Sequence, residues 1–237
     1  MKPTIEITPL SKADIPGAVE CIQLAFAEDP YFQWVFDTTR FDPGRNRASL
    51  TARCLWGMSC ALFYVAKERQ SSDDNDDQAS VLGVSCWIPP QPTNQRRSWK
   101  TYFHDALLWL RQLRNNVLYL GRGGLRTRRY RLWKNHQREV QRELWTDPQG
   151  YYFCNLVAVR PDAQGRGIGR MLIDVVTQKA DREGRRCYLE SSREVPNVGI
   201  YQRMGFEMVR TMVCEEEGDE CKLYCMIREP EIKGSVE

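Results

Sequence analysis

Leu156–Leu172 reads Leu-Val-Ala-Val-Arg-Pro-Asp-Ala-Gln-Gly-Arg-Gly-Ile-Gly-Arg-Met-Leu, a segment that fits only the junction of a strand and a helix. On its N-terminal side Tyr151–Val159 is β-branched and aromatic, as a buried strand requires, and Pro161 ends the ladder because it has no N–H to donate. On its C-terminal side Ile168–Arg182 places Met171, Leu172, Val175, Val176 and Ala180 at helical spacing. Gly165, Gly167 and Gly169 fall in the turn and the first helical residues, where a missing Cβ lets a ligand reach the backbone. The first amides of a helix have no internal acceptor, and aligned peptide dipoles favour an anion there by about 0.3–1 kcal/mol per contact. Amides from Gln164 through Gly165, Arg166, Gly167, Ile168, Gly169 and Arg170 would therefore cradle a pyrophosphate. Arg166 and Arg170 offer side-chain charge beside it. No Gly-Lys-Ser/Thr follows, so this is not a Walker loop. A dinucleotide fingerprint would need a third glycine where Arg170 stands.

The rest of the chain predicts an α/β fold around that junction. Ile5 and Ile7 alternate in a first strand, and Ser11 reads as the N-cap of a helix carrying Ile15, Val19, Ile22, Leu24 and Phe26. Asp29-Pro30 ends that helix, and the aromatic run Tyr31–Phe36 packs near a ligand as a short helix or loop. A further helix is expected over about residues 47–61. Two strands, Phe63–Lys67 and Val81–Ile88, are joined by Gln70–Gln78, whose Asp73, Asp74, Asp76 and Asp77 predict a mobile hairpin loop. Residues 96–147 read as two amphipathic helices broken at Gly121–Gly124. In the first, Tyr102, Phe103, Ala106, Leu107, Leu110, Leu113, Val117 and Leu120 outline a core face. In the second, Tyr130, Trp133, Val140 and Leu144 do so. Downstream come a strand at Cys187–Glu190, a short helix at Val198–Met204 closed by Gly205, and a hairpin of Phe206–Cys214 and Cys221–Ile227 around Glu215–Glu220.

A chain of 237 residues supports one substantial core. Its nine cysteines show no C-x-x-C pair and no zinc-ligand spacing with His104 or His136, so they read as reduced core residues and no metal site is expected. No apolar run reaches the ~20 residues of a membrane span, and the N-terminus lacks the apolar core of a signal peptide. A cytoplasmic protein without a membrane partner is the expectation. The formal charge of +3 is unevenly spread: between Arg96 and Glu143 thirteen Lys/Arg face three acids, which leaves the remainder at −7. Such a cluster suits a polyanion or simply the solvated faces of two helices.

Read as Gln164-x-x-Gly167-x-Gly169 after a hydrophobic-x-Pro strand end, the junction resembles motif A of the GCN5-related N-acetyltransferase (GNAT) superfamily. Asn197-Val-Gly-Ile-Tyr201-Gln-Arg-Met-Gly205-Phe206, beginning to match 37 residues after Gln164 at Tyr201, resembles its motif B. The resemblance is strongest over residues 150–228. It extends loosely to the N-terminal helix and to Trp87-Ile-Pro-Pro90, and the front half looks like a fungal branch of small GNAT proteins. It implies one domain over 1–237 with a central mixed, mostly antiparallel sheet flanked by helices, and a basic helical insertion at about 96–147 before the motif A strand.

The resemblance also implies a reaction. Acetyl-CoA would be the co-substrate, lying where strands 151–159 and 187–191 part. Backbone groups of Val157, Ala158 and Val159 would hold the acetyl group and pantetheine, with Asn197 also on the coenzyme side. A primary amine would attack the thioester directly, with a backbone N–H near Val157 on the oxyanion. Tyr201 is the candidate acid for the thiolate and Glu190 the candidate base, with Glu194 and Glu28 behind it. A bland role for Glu190 is a carboxylate that orients a loop. A small-molecule amine is the expected acceptor, because a basic insertion does not favour lysine-rich tails. Protein or histone lysine acetylation is the alternative, and a non-catalytic nucleic-acid binder using the insertion is the alternative of another class. Nucleic acid is not the expected partner, since the insertion's aromatics fit a core face better than stacking platforms.

Overall fold

The structure is a computed structural model that describes residues 4–69, 80–92, 94 and 97–231. The acidic segment around Asp73–Asp77, expected to be a mobile loop, lies outside the described residues. The chain runs β1 (Thr4–Pro9), α1 (Ile15–Phe26), α2 (Pro30–Val35), α3 (Pro43–Cys60), β2 (Leu62–Arg69) and β3 (Ser80–Ile88), then α4 (Trp99–Leu118) and α5 (Thr127–Leu144). It continues through β4 (Tyr151–Val159), α6 (Ile168–Arg182), β5 (Arg186–Ser191), α7 (Asn197–Gln202), β6 (Glu207–Glu216) and β7 (Asp219–Arg228). The seven strands form one sheet in the order β1-β2-β3-β4-β5-β7-β6. Every pairing is antiparallel except β4 with β5. The sheet is thus mixed and mostly antiparallel, flanked by helices.

Strand alternation assigns the faces. Val84, Cys86 and Ala158 pack with Val19 and Ile22 of α1, and with Cys54 of α3. On the same face, further along the sheet, Phe153, Tyr188 and Cys225 pack with Trp34 of α2 and Val140 of α5. Cys154, Leu189 and Met226 point the other way, onto Ile173 and Val176 of α6. Gly83 decides how closely α6 approaches: a Cβ there would lie 2.9 Å from Ile168 Cγ2 and 3.0 Å from Leu172 Cδ1. No sequence pattern singled that glycine out.

Local chemistry moves several expected boundaries. Ser11 does not cap α1; its N–H and hydroxyl both donate to Asp14, 3.0 and 2.6 Å away, in a turn, and the helix begins at Ile15. Leu24 of that helix is exposed rather than inward. Helix α3 starts at Pro43, ahead of the expected position, because Asp42 accepts from the Arg45 amide at 2.9 Å and proline suits the first turn. Strands β6 and β7 run longer than expected, since Glu217 and Gly218 adopt φ of 57° and 81° and close a two-residue hairpin turn.

The largest departure concerns α4. It rests mainly on α3, and it does so through polar residues. Trp56 Nε1 donates to Asp105 at 2.8 Å, Ser49 and Gln112 exchange hydrogen bonds, and Arg45 donates to Asn116 at 2.7 Å. The apolar stripe expected to face a core is instead exposed, with Tyr102, Phe103, Leu110, Leu113, Val117 and Leu120 all turned to solvent.

Candidate active site

The site begins where β4 and β5 stop pairing. Their parallel register runs from Tyr151↔Arg186 to Cys154↔Leu189 and goes no further, while β4 continues to Val159 and β5 to Ser191. A bulge forces the parting. Cys86 pairs with Leu156 and Trp87 with Cys154, so Asn155 is an extra, exposed residue that bends β4 at the point of departure. Past the bulge, the Arg160 amide donates to Leu82 of β3 at 2.9 Å. By strand alternation Ala158 shares that edge with Arg160, and the N–H and C=O of Val157 and Val159 face the opening. Of the three strand residues predicted to line the donor site, the structure therefore turns two toward the gap. Ala158 instead gives its backbone to β3 and its side chain to the core with α1.

The cradle follows directly. Gly165 and Gly167 have φ of 77° and 79°, left-handed values that only glycine adopts cheaply. A Cβ on either would meet no atom within 4 Å, so the glycines serve the turn's conformation rather than internal packing. Helix α6 starts at Ile168, buried at 1% exposure, with no side-chain cap; its first internal bond runs from the Met171 amide to Gly167 O at 3.1 Å. The six amides from Gly165 to Arg170 have no backbone acceptor among the described residues. That is a nest of donors at a positive helix end, fitted to an anion carrying several oxygens. Gln164 closes it with Nε2 at 3.4 Å from Val159 O. Arg166 is ion-paired with Glu68 of β2, and Arg170 lies 3.5 Å from Asp174, so the cradle works through its backbone first.

Tyr201 sits on α7 beside Phe206, their rings 6.1 Å apart, and packs with Cys154 under the opening. Its hydroxyl has no hydrogen-bond partner among the described residues. Burial, and then the neighbouring Cys154 and Asp29, push its pKa up, so the proton stays on the oxygen at neutral pH. Asn197, at the start of α7, donates to Ser191 Oγ at 3.2 Å and holds the β5–α7 connection.

Glu190 follows the last β5 residue paired to β4, with its side chain on the α5 face. It accepts from Gln137 Nε2 at 2.6 Å, Gln141 Nε2 at 3.2 Å and Tyr188 Oη at 2.9 Å. Burial raises its pKa against the pull of those donors and of Lys134. Lys134 donates to Gln137 Oε1 at 2.8 Å, and burial lowers its pKa. An ammonium and a carboxyl are thus bridged by one amide, both pushed toward neutrality by the same dry surroundings. Glu194 is taken up by the Tyr224 hydroxyl at 3.0 Å.

Sequence reasoning passed over Asp29. It is 6% exposed, caps α2 by accepting from the Phe32 amide at 3.1 Å, and accepts from the Ser192 hydroxyl just past β5. Arg193 donates to the Glu28 carbonyl beside it. The α1–α2 junction is thereby stitched to the end of the parted strand, and the Asp-Pro pair that marks a helix start was the available signal. His136 faces the Val213 carbonyl through Nδ1 at 3.1 Å with Cys214 Sγ 3.7 Å away. Burial pushes that thiol up to about 11, so the pair makes no activated nucleophile.

A splayed parallel strand pair, an amide nest below it and a protonated tyrosine beneath the gap thus form one opening suited to an anionic ligand. A family described as acetyltransferase (GNAT) domain matches residues 131–208, which span most of α5, β4, α6, β5 and α7. An uncharacterized N-acetyltransferase of Schizosaccharomyces pombe is 24% identical over 242 residues, covering 97% of this chain and 94% of the relative. A second from the same yeast is 28% identical over 155 residues, 65% of this chain and 59% of the other. In fold, the chain is similar to a Corynebacterium glutamicum structure described as histone acetyltransferase HPA2 and related acetyltransferase, with a TM-score of 0.56 at 19% identity over 99% and 100% of the two chains. It is also similar to Arabidopsis thaliana NAA60 in complex with a bisubstrate analogue, with a TM-score of 0.54 at 15% identity over 98% and 100%. Residues 131–208 thus match the GNAT acetyltransferase domain, and the chain as a whole is similar to N-acetyltransferases of a fungus. Among the described residues no helix is long and apolar enough to cross a membrane.

Proposed function

We propose that this enzyme moves the acetyl group of acetyl-CoA directly onto the primary amine of a small molecule, with both substrates bound together. The observation that carries this reading is the parting of β4 and β5 above six unpaired amides. The Gly165–Arg170 amides hold the pyrophosphate, and the edge of β4 at Val157 and Val159 holds the acyl chain. The amine nitrogen bonds to the acetyl carbon as the carbon–sulfur bond breaks. The ammonium proton leaves to Glu190 directly or through water before attack, the departing sulfur takes the proton of Tyr201, and the second N–H proton, lost as the amide forms, returns through water to the Tyr201 oxygen. An alkylamine of pKa ~10.4 is largely protonated at neutral pH, so a carboxyl raised by burial is a better base for it than an ordinary one. The carboxylates of Asp29 and Glu190 beside the opening favour a cationic acceptor.

A small amine is favoured over a lysine-rich tail by the charge of the insertion: α5 brings Arg128, Arg131, Arg138 and Arg142 to the surface against two acids. Nine free thiols, eight of them buried, suit a reducing compartment, and we place the enzyme in the cytoplasm on that ground. The test is release of free coenzyme A from acetyl-CoA across amines, diamines, amino acids and peptides. Turnover with small amines supports the reading, and turnover confined to peptides would transfer the assignment to proteins. Gly167→Val separates the donor site from the acceptor site. It should weaken acetyl-CoA binding at least tenfold, because a β-branched residue resists the left-handed turn; unchanged binding would remove the cradle assignment.

A further inference from the structure

Helix α4 is inside-out. Twenty residues at 1.5 Å each make it about 30 Å long. One side of it, Trp99, Tyr102, Phe103, Leu110, Leu113 and Val117, recurs at intervals of three, four and seven. This is the spacing of a single apolar stripe. Trp99 is 89% exposed, Phe103 66% and Val117 67%. The opposite side is polar and is satisfied against α3 by the Asp105, Gln112 and Asn116 hydrogen bonds. A continuous apolar stripe of this length on a folded surface marks a site of contact with another phase or partner.

Charge decides between the possible covers. Lys100, Arg111 and Arg114 follow one another along one shoulder of the stripe, and none of the three enters an ion pair among the described residues. The sole acid of α4, Asp105, is committed to Trp56 and to Arg97, 3.0 Å away. A second copy meeting this face helix to helix would offer those cations no carboxylate. An anionic lipid surface offers both an apolar layer and negative charge at the required height, and Trp and Tyr are the residues that settle at that boundary.

We propose that α4 seats the enzyme on membranes bearing anionic headgroups, lying in the interface with its stripe in the acyl boundary and Lys100, Arg111 and Arg114 among the headgroups. The expectation of no membrane partner rested on span length, and a helix that lies flat needs no span. The site at β4 and β5 has no part in this contact, so the two assignments stand or fall separately.

The test is co-sedimentation of the full chain with vesicles of phosphatidylcholine alone or mixed with phosphatidylserine. The chain should pellet with the mixed vesicles, be released by salt, and stay in solution with phosphatidylcholine. Leu110→Glu with Val117→Glu should abolish pelleting. Arg111→Ser with Arg114→Ser should weaken it about thirtyfold, the effect of removing two interfacial cations. Leu110, Arg114 and Val117 are exposed and Arg111 is half-buried with no ion pair among the described residues, so melting temperature and acetyl transfer should change little; Leu113→Ser is a milder probe of the same stripe. No pelleting, equal pelleting on uncharged vesicles, or pelleting indifferent to the stripe variants would overturn the proposal. So would a dimer in light scattering that the Leu110→Glu, Val117→Glu variant converts to monomer, which would give the face to a second copy.

Discussion

At the scale of single residues, glycine and tyrosine were the legible ones, because each has a chemistry that few positions can use. Gly165 and Gly167 show it in their positive φ, and Tyr201 in a hydroxyl kept protonated beneath the strand opening. Tyr201→Phe removes only the oxygen, so coenzyme binding should hold while kcat falls about 10²-fold, the lower range for a lost general acid. Equal kcat for the variant would leave the thiolate to solvent. Glu190 needs a different test, since a carboxylate held by two glutamines and a tyrosine can be a base or a clamp. Its raised pKa means that as pH falls through that value the base is protonated and turnover drops. In Glu190→Gln that limb should shift toward the amine's own ~10.4, with a loss of about 10²-fold at neutral pH that is recovered at high pH. A lower melting temperature with an unchanged pH profile would make Glu190 the clamp of α5. The cap formed by Asp29 is local and legible in Asp-Pro, but its place in the site was hidden because its contact with Ser192 joins two loops 163 residues apart in sequence.

At the scale of elements, periodicity revealed which helices exist but not which phase their stripes face. The α4 pattern is as regular as that of α6, yet α6 is buried on the sheet and α4 turns its stripe outward. A wheel drawn from sequence is symmetric between those outcomes, and only the polar partners on α3 break the symmetry. In sequence the charge on α5 suits a polyanion or a solvated face, and the structure gives part of it to the acidic hairpin turn. Arg129, 7% exposed, donates to Trp34 O at 3.0 Å, to Glu216 at 3.1 Å and to Asp219 at 2.5 Å, and its guanidinium lies 5.2 Å from the Trp34 ring. It pins α2, α5 and the β6–β7 turn at one point. Arg128 lies 3.0 Å from Glu216, and Arg210 of β6 reaches Glu143 of α5. Asp219 is half-exposed and contributes little, whereas Glu216 is largely covered. Arg129→Met keeps the cover over Trp34 but leaves the largely covered Glu216 carboxylate to the exposed Arg128 alone and the Trp34 carbonyl without its donor, at a cost of about 3 kcal/mol. Thermal unfolding should then begin about 6–12 °C lower. A shift below about 2 °C would mean that the three elements dock without it.

At the scale of the whole molecule, the core half of the chain was readable because strand, turn and helix there each obey one local rule. The ion pairs that close the fold were not readable, because each joins a strand to a helix or turn distant in sequence. Arg228, near the end of β7 and 5% exposed, makes a two-pronged ion pair with Asp181 of α6 at 2.6 and 2.9 Å. The Glu231 amide adds a third bond to Asp181 at 2.8 Å. At the other end of the sheet, Lys67 of β2 reaches Asp14 before α1 at 3.0 Å. Burial alone would raise both carboxyls, but their hydrogen bonds and cations hold them below the ordinary range. A carboxyl depressed in the folded state stabilises the fold above its unfolded value of about 3.9, and that stability is lost as pH falls through the folded value. Glu190 acts with the opposite sign, since a raised carboxyl favours the folded state where it is protonated. Below the ordinary carboxylate range Glu190 is already neutral and no longer changes its contribution, so the depressed pair should make the melting temperature fall steeply as pH drops there. Asp181→Asn tests the assignment: it should lose about 3 kcal/mol at pH 7 and then melt with a shallower acid dependence than the wild type. Parallel acid limbs for the two proteins would place the acid sensitivity elsewhere in the sheet.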